Sequence, residues 1–245
     1  MSLKVENLTG GYGHFPVLQD ISFEVKGGEL VSLIGLNGAG KSTTIKEIMG
    51  LLTPQKGQIL VDGLTLKQDS EKYRQKIGFI PETPVLYEEL TLREHIEVTT
   101  MAYDLDRDKA FARAEELLKL FRLEKKKDWF PTNFSKGMKQ KVMVLCAFLV
   151  EPSLFIIDEP FLGLDPLAIH DLLEMMKQAK KSGAALLMST HILATAERYC
   201  DRFVILHEGK IRAIGGIEEL RIEFNMPSAT LDDIYIALTT EEGAF

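Results

Sequence analysis

Gly35-Leu36-Asn37-Gly38-Ala39-Gly40-Lys41-Ser42 satisfies the pattern G-x-x-x-x-G-K-[ST]. Glycines at those positions let backbone N–H groups turn inward around a phosphate, and a helix opening behind them adds positive potential. Lys41 then reaches the outer phosphates, and the Ser42 hydroxyl is a ligand for Mg²⁺. Farther along, Ile156-Ile157-Asp158-Glu159-Pro160 ends an apolar run in two carboxylates. Beside a phosphate loop the first, Asp158, suits Mg²⁺, usually through water, and the second, Glu159, is placed to polarise an attacking water. Adjacent carboxylates repel unless cations compensate them, which Lys41 and Mg²⁺ would do. Ser189-Thr190-His191 follows another apolar run and sets an imidazole where ligands of open α/β sheets sit.

Other features carry less on their own. Ser135, before the long apolar helix through Val150, is a natural N-cap whose hydroxyl and free backbone N–H groups also suit an anion. With Lys136, Lys139 and Lys141 it reads, alone, as a capped helix with a solvated basic face. Tyr12, in Gly10-Gly11-Tyr12-Gly13, reads as an aromatic in a flexible loop, able to stack on a base. His14, His95, His170 and His207 have no comparable surroundings in the sequence.

The elements that must hold these residues follow from periodicity. Leu3–Leu8 and Val17–Val25 read as strands, and Leu30–Ile34 as a strand buried on both faces. Ser42–Met49 is helical with Gly50 as its stop, and Gln58–Val61 is a strand running into Asp62-Gly63. From Thr91 to about Phe134 the pattern is helical. Thr91 and Glu94 have capping-box spacing, and Phe111, Ala114, Leu117, Leu118 and Phe121 mark one amphipathic face. Strand character returns at Leu154–Ile157 and Ala184–Met188, each after a helix, which implies a parallel sheet. Phe203–Leu206 and Ile211–Ile214 read as a closing hairpin, followed by an amphipathic helix bearing Leu231, Ile234, Tyr235 and Leu238. The organisation is an α/β core interrupted by a helical insertion at about 83–140.

Composition narrows the classes. The 245 residues suit one large domain, and 45% hydrophobic residues argue against global disorder. Two cysteines, Cys146 and Cys200, exclude a disulfide framework and fit a reducing compartment. The longest apolar run, Val142–Val150, is far short of a membrane span, and the N-terminus has no secretory pattern. A net charge of −7 gives no support for nucleic-acid binding, and none is expected.

The order of the motifs matters more than any one of them. An aromatic loop, the phosphate loop, a helical insertion, the Ser135-x-Gly137 helix start, Asp158-Glu159, Gly163-Leu164-Asp165 and His191 resemble the nucleotide-binding domain of ATP-binding cassette (ABC) transporters over nearly the whole chain. The stretches Ile80–Leu92 and Phe134–Val142 look like the Ecs-type ATP-binding subunits of Gram-positive bacteria. The resemblance implies a P-loop NTPase fold of the ABC ATPase type. That fold has a mostly parallel central sheet, an N-terminal antiparallel β part and a helical insertion. It implies one domain, with a core at 1–82 and 141–215, the insertion at 83–140 and a helical tail at 216–245.

By the same resemblance, Tyr12 stacks on adenine, and Gly35, Asn37, Gly38, Ala39, Gly40, Lys41, Ser42 and Thr43 hold the phosphates of ATP. Ser42, Glu82 and Asp158 serve Mg²⁺, Glu159 is the catalytic base, and His191 senses the γ-phosphate. Ser135 and Gly137 contact the γ-phosphate held by a second copy in a head-to-tail homodimer, with Asp165 at that interface. The implied activity is ATP hydrolysis for an exporter, beside a separate polytopic membrane subunit at the cytoplasmic face of a bacterial cell membrane. Other readings are a nucleotide-driven switch on a membrane complex and, less favoured, a soluble ABC ATPase. Val85, Leu86, Tyr87, Leu90 and Leu92 are candidates either for the membrane contact or for the insertion's own core. Two departures stand out. Glu82 replaces the family's glutamine, and Phe134-Ser135-Lys136-Gly137-Met138 replaces Leu-Ser-Gly-Gly-Gln.

Overall fold

Every residue of Leu30–Ile34 is buried, as an apolar run between glycines demands when both faces of a strand are covered. A computed structural model describes residues 2–161 and 163–240 and shows what covers it. The chain begins β1 (Leu3–Tyr12), β2 (Phe15–Val25), β3 (Leu30–Ile34), α1 (Lys41–Ile48), β4 (Lys56–Val61), α2 (Ser70–Gln75) and β5 (Ile77–Ile80). Then come α3 (Leu92–Ala102), α4 (Arg107–Phe121), α5 (Lys136–Leu149), β6 (Leu154–Asp158), α6 (Pro166–Lys181) and β7 (Ala185–Ser189). It ends α7 (Leu193–Tyr199), β8 (Arg202–His207), β9 (Lys210–Gly215), α8 (Ile217–Glu223) and α9 (Leu231–Thr240).

Six strands form the main sheet in the order β5-β6-β7-β3-β8-β9. All neighbours are parallel except the β8–β9 hairpin. A second sheet, β2-β1-β4, is antiparallel. The expected mostly parallel sheet with an antiparallel N-terminal part is therefore the observed architecture. One apolar cluster lies between the two sheets and includes Leu33, Ile45, Ile156 and Leu187. A second joins α3, α4 and α5 to the other face of the main sheet through Phe121, Leu145, Phe148 and Phe155. A third closes α7, α8 and α9 over Phe203 and Ile205. Each fully buried aliphatic side chain in these clusters contributes about 1.5–3 kcal/mol.

Local chemistry explains most boundaries. α3 opens on the expected capping box: Thr91 Oγ1 accepts from Glu94 N–H, and Glu94 Oε2 accepts from Thr91 N–H at 2.7 Å. Asp69, Asp106, Ser135 and Asp165 cap α2, α4, α5 and α6 with side-chain oxygens. The helical pattern read through Phe134 stops earlier. After α4 the chain makes short 3₁₀ turns at Glu124–Lys126 and Pro131–Asn133, where Pro131 removes a donor. β5 and α2 carry no clear periodic signal, because β5 has only four residues and includes Gly78. α5 runs through residue 140, and the last residues of the tail, 241–245, lie outside the described residues.

Glu47 departs from these rules. It lies on α1 beneath β1, is 2% exposed, and neither carboxylate oxygen has a hydrogen-bond partner. Burial pushes its carboxyl up to about 7 from 4.5. A carboxyl raised in the folded state leaves stability unaffected below its unfolded value and subtracts from it as pH climbs past that value. Glu47→Gln should therefore match the parent in thermal melting near pH 4.5 and gain over it as pH rises to 8. The gain is on the order of 2–3 kcal/mol. A gain that is the same at both pH values would show that Glu47 does not titrate in this way.

Candidate functional site

Strand register brings the chemistry to one edge. Leu33 of β3 and Asp158 of β6 both pair with Ser189 of β7, so the three C-terminal strand ends are level. β3 and β6 flank β7, which puts their ends about 10 Å apart, two strand spacings. The phosphate loop leaves β3, Glu159 leaves β6, and His191 follows β7. Ligands of open parallel sheets bind at this edge.

Gly40 has φ of 110°, a conformation open to glycine, and it caps α1 without a side-chain bond. The first N–H groups of α1 are thus left to an anion. The Lys41 ammonium donates to Gly35 O at 2.6 Å and to Leu36 O at 3.3 Å. Burial holds it below its ordinary pKa, against the opposing pull of Glu159, Asp158 and Glu82. Asn37 and Gly38 lie in the turn, and Ala39 N–H donates to Leu36 O at 3.1 Å. Thr43 is buried, and Ser42 faces out.

The acidic pair separates into two partnerships. Asp158 accepts from the Ser189 hydroxyl. Glu159 sits at φ 46°, its N–H donating to Ser189 O at 3.1 Å. Such a left-handed glutamate is strained and is held by its surroundings. Its Oε1 lies 2.9 Å from His191 Nδ1, with Glu159 nearly buried and His191 half exposed. An Nδ1 proton on that contact leaves the far ring nitrogen, Nε2, for another partner. Glu82, exposed, follows β5 by two residues. Among the described residues no group of three or more His, Cys, Asp or Glu gathers to hold a metal unaided. Mg²⁺ is ordinarily held by one or two carboxylates together with substrate phosphates. The all-oxygen set of Ser42, Asp158 and Glu82 fits that requirement.

Ser135 caps α5, its Oγ accepting from Met138 N–H at 3.3 Å, and it is exposed. A Cβ on Gly137 would stand 2.6 Å from Gly163 O, so α5 and the 163–165 segment touch backbone to backbone. The methylenes of Lys136 pass Gly163, at 3.7 Å from where its Cβ would be. Lys141 Nζ bonds Asp165 Oδ2 at 2.8 Å and holds that carboxyl below its usual range, while Asp165 Oδ1 caps α6. Met138 is half-buried against the α3–α5 cluster, with Lys126 Nζ 3.6 Å from its sulfur. The structure thus gathers Lys41, Glu82, Asp158, Glu159 and His191 electrostatically or by contact, whereas the contacts of Gly137 are with 163–165.

Tyr12 corrects one expectation. It is not in a loop but ends β1, paired with Phe15, because the turn takes only Gly13 and His14. It is half exposed, and its hydroxyl accepts from Lys46 Nζ at 3.1 Å, a bond that lowers its pKa. The partners of three residues are not legible in the sequence. Tyr235 Oη, from α9, accepts from Leu36 N–H of the phosphate loop at 2.8 Å. Buried His95 accepts from Tyr87 N–H at 3.0 Å and meets Thr91 O at 2.8 Å. Gln140 is fully buried beside Pro81. Gln140 did leave a signal: it shares an apolar helical face with Val144 and Phe148, and a polar group there needs a partner. The apolar residues after Glu82 divide. Leu92 is core and Leu86 packs on it, whereas Val85 is 76% and Tyr87 64% exposed.

A glycine-rich loop between a parallel strand and a helix, with carboxylates on the next strand but one, defines a P-loop nucleotide-binding fold. The chain matches the ABC transporter family model over residues 18–162. It is 61% identical over 240 residues to the ABC-type transporter ATP-binding protein EcsA of Bacillus subtilis (strain 168), covering 98% of this chain and 97% of that protein. The linearmycin resistance ATP-binding protein LnrL of the same organism is 38% identical, over 87% of this chain and 68% of its own. A solved structure described as the ATP-binding subunit of an ABC transporter superposes with a TM-score of 0.96 at 57% identity, covering 98% of this chain and all of that one. A dimeric ATP-binding cassette in a post-hydrolysis state with ADP and Pi superposes with a TM-score of 0.78 at 27% identity, over 88% of this chain and 98% of that one. The chain belongs to the ABC transporter family, as one of its ATP-binding subunits.

The Gly137 contact makes a direct prediction. Gly137→Ala should lower stability by about 1–3 kcal/mol in urea unfolding, because the neighbour is a backbone carbonyl. Lys136→Gly, at an exposed site, should change it by less than about 1 kcal/mol. A fully stable Gly137→Ala protein would mean that the contact yields freely.

Proposed function

We propose that this chain is the ATP-hydrolysing subunit of an ABC exporter. It would pair head to tail with a second copy when ATP is bound and reopen after hydrolysis, driving a separate polytopic membrane subunit. Its place would be the cytoplasmic face of a bacterial cell membrane. The observation that carries the reading is the level alignment of Leu33, Asp158 and Ser189, which brings Lys41, Glu159 and His191 to one edge. The export direction draws support from relatives. One is the Nod factor export ATP-binding protein I of Rhizobium meliloti (strain 1021), 37% identical over 85% of this chain and 62% of its own. Among the described residues no helix is long and apolar enough to cross a membrane. Exposed Val85, Tyr87, Val98 and Met101, on α3 and the segment before it, supply apolar surface for that contact. Residues 83–140 would form the unit that carries it.

In this mechanism the Lys41 ammonium exchanges its carbonyl partners for the outer phosphates, and the free N–H groups of α1 hold the phosphate before it. Ser42, Asp158 and Glu82 would hold Mg²⁺, which would supply charge neutralisation on the phosphates. Glu159 accepts a proton from the attacking water as its oxygen bonds the γ-phosphorus and the bond to the leaving ADP breaks, with His191 fixing that carboxylate through Nδ1 and meeting the γ-phosphate through an Nε2–H. Ser135 and Gly137 meet the γ-phosphate of the other copy, and Tyr12 stacks on adenine once Lys46 is displaced.

Glu159→Gln should bind ATP with ordinary affinity and accumulate as a dimer, with hydrolysis reduced by about 10²-fold or more. Size-exclusion chromatography and phosphate release read both, and turnover at the parent rate would remove Glu159 from the role of base. A carboxylate binds Mg²⁺ more tightly than an amide. Glu82→Gln should therefore raise the half-saturating Mg²⁺ concentration about 3–10-fold. An unchanged value would place Glu82 away from the metal.

A further inference from the structure

Gln140 is an amide held where an apolar residue would pack. It is 0% exposed, and its Nε2 donates to Pro81 O at 3.2 Å. Its Oε1 is buried without a partner. A buried acceptor left unmet is costly, so an amide at this place has to be justified by the one bond it makes. That bond falls on the peptide between Pro81 and Glu82, just past the end of β5. Proline has a carbonyl there but no N–H, so this carbonyl is the only backbone hydrogen-bonding group Pro81 can offer.

The other end of the tether is equally defined. Gln140 lies five residues after the Ser135 cap on the same helix, about 7.5 Å along its axis. Gly137, within that span, abuts Gly163, and Lys141, one residue past it, pairs with Asp165. A helix moves as a rigid body over so short a distance. A shift at its Ser135 end is therefore delivered both to the 163–165 segment and, through Gln140, to Glu82.

We propose that Gln140 is a positioning residue. It acts through the Pro81 carbonyl to set where Glu82 stands, and so couples the position of α5 to the Mg²⁺ centre. The mechanistic half of this rests on the ATPase reading above; the tether itself does not.

Backbone NMR relaxation in the nucleotide-free protein reads the tether whether or not the chain hydrolyses ATP. Gln140→Met, similar in volume but unable to donate, should lower the backbone order parameters of Glu82 and Thr83 by about 0.2 and leave those of β5 unchanged. Unchanged order parameters at those two residues overturn the proposal. The coupling is then read in a double-mutant cycle. Gln140→Met should lower kcat about tenfold with KM for ATP moving less than about twofold, and the loss should shrink below about twofold in a Glu82→Ala background. An equal loss in both backgrounds overturns the action through Glu82. Order parameters that respond as described in a protein that does not hydrolyse ATP with Mg²⁺ would instead remove the ATPase reading. Melting temperature should be unchanged or higher in Gln140→Met, since an unmet acceptor has been removed; a large fall would assign the residue to packing alone.

Discussion

Parallel pairing of β6, β7 and β3 in level register is the constraint on which the rest depends. A slip of one residue between β6 and β7 would turn every side chain of β6 to the other face. Asp158 would lose Ser189, and Glu159 would leave the edge where His191 stands. Burial on both faces is what prevents the slip. Leu30 to Ile34 and Ala185 to Ser189 have no exposed residue, so no alternative register keeps as much apolar surface from water. The antiparallel sheet packs one side and the α3–α5 layer the other, and both are needed.

Electrostatics at this edge is finely opposed. Lys41 is pressed toward neutrality by burial and kept cationic by three carboxylates, Glu159, Asp158 and Glu82. Those carboxylates in turn lean on a hydroxyl, an imidazole and solvent. The carbonyls of Gly35 and Leu36 satisfy the ammonium meanwhile. Phosphates arriving here would replace weak neutral acceptors with charged ones, which are about twice as strong. The gain is local, and the charge of the whole chain, −7, has little part in it.

Much of this was legible in the residues alone. β3 could be read to the residue because a fully buried strand between glycines has few other meanings, and Thr91-x-x-Glu94 marked the start of α3 because its bonds are local. Strand order was not legible: that β7 lies between β3 and β6 depends on long-range pairing. β5 is illegible because four residues show no period, and three nearby glycines give Tyr12 the look of a loop residue although it ends β1. At the site, the residue types were readable one by one, but their partners were not. His95 and Tyr235 act on loops eight and 199 residues away in the chain, through backbone groups that no sequence pattern records.

The two glycines of the family's helix-start pattern differ in how replaceable they are. At the first, this chain carries Lys136, which lays its stem along Gly163 and keeps its charge in water. At the second, the obstacle to change is the oxygen of a peptide bond, which is present whatever side chain position 163 bears. No compensating substitution there can open the way. Position 136 thus takes a long side chain with the backbone in place, while any side chain at 137 has to displace the main chain facing it.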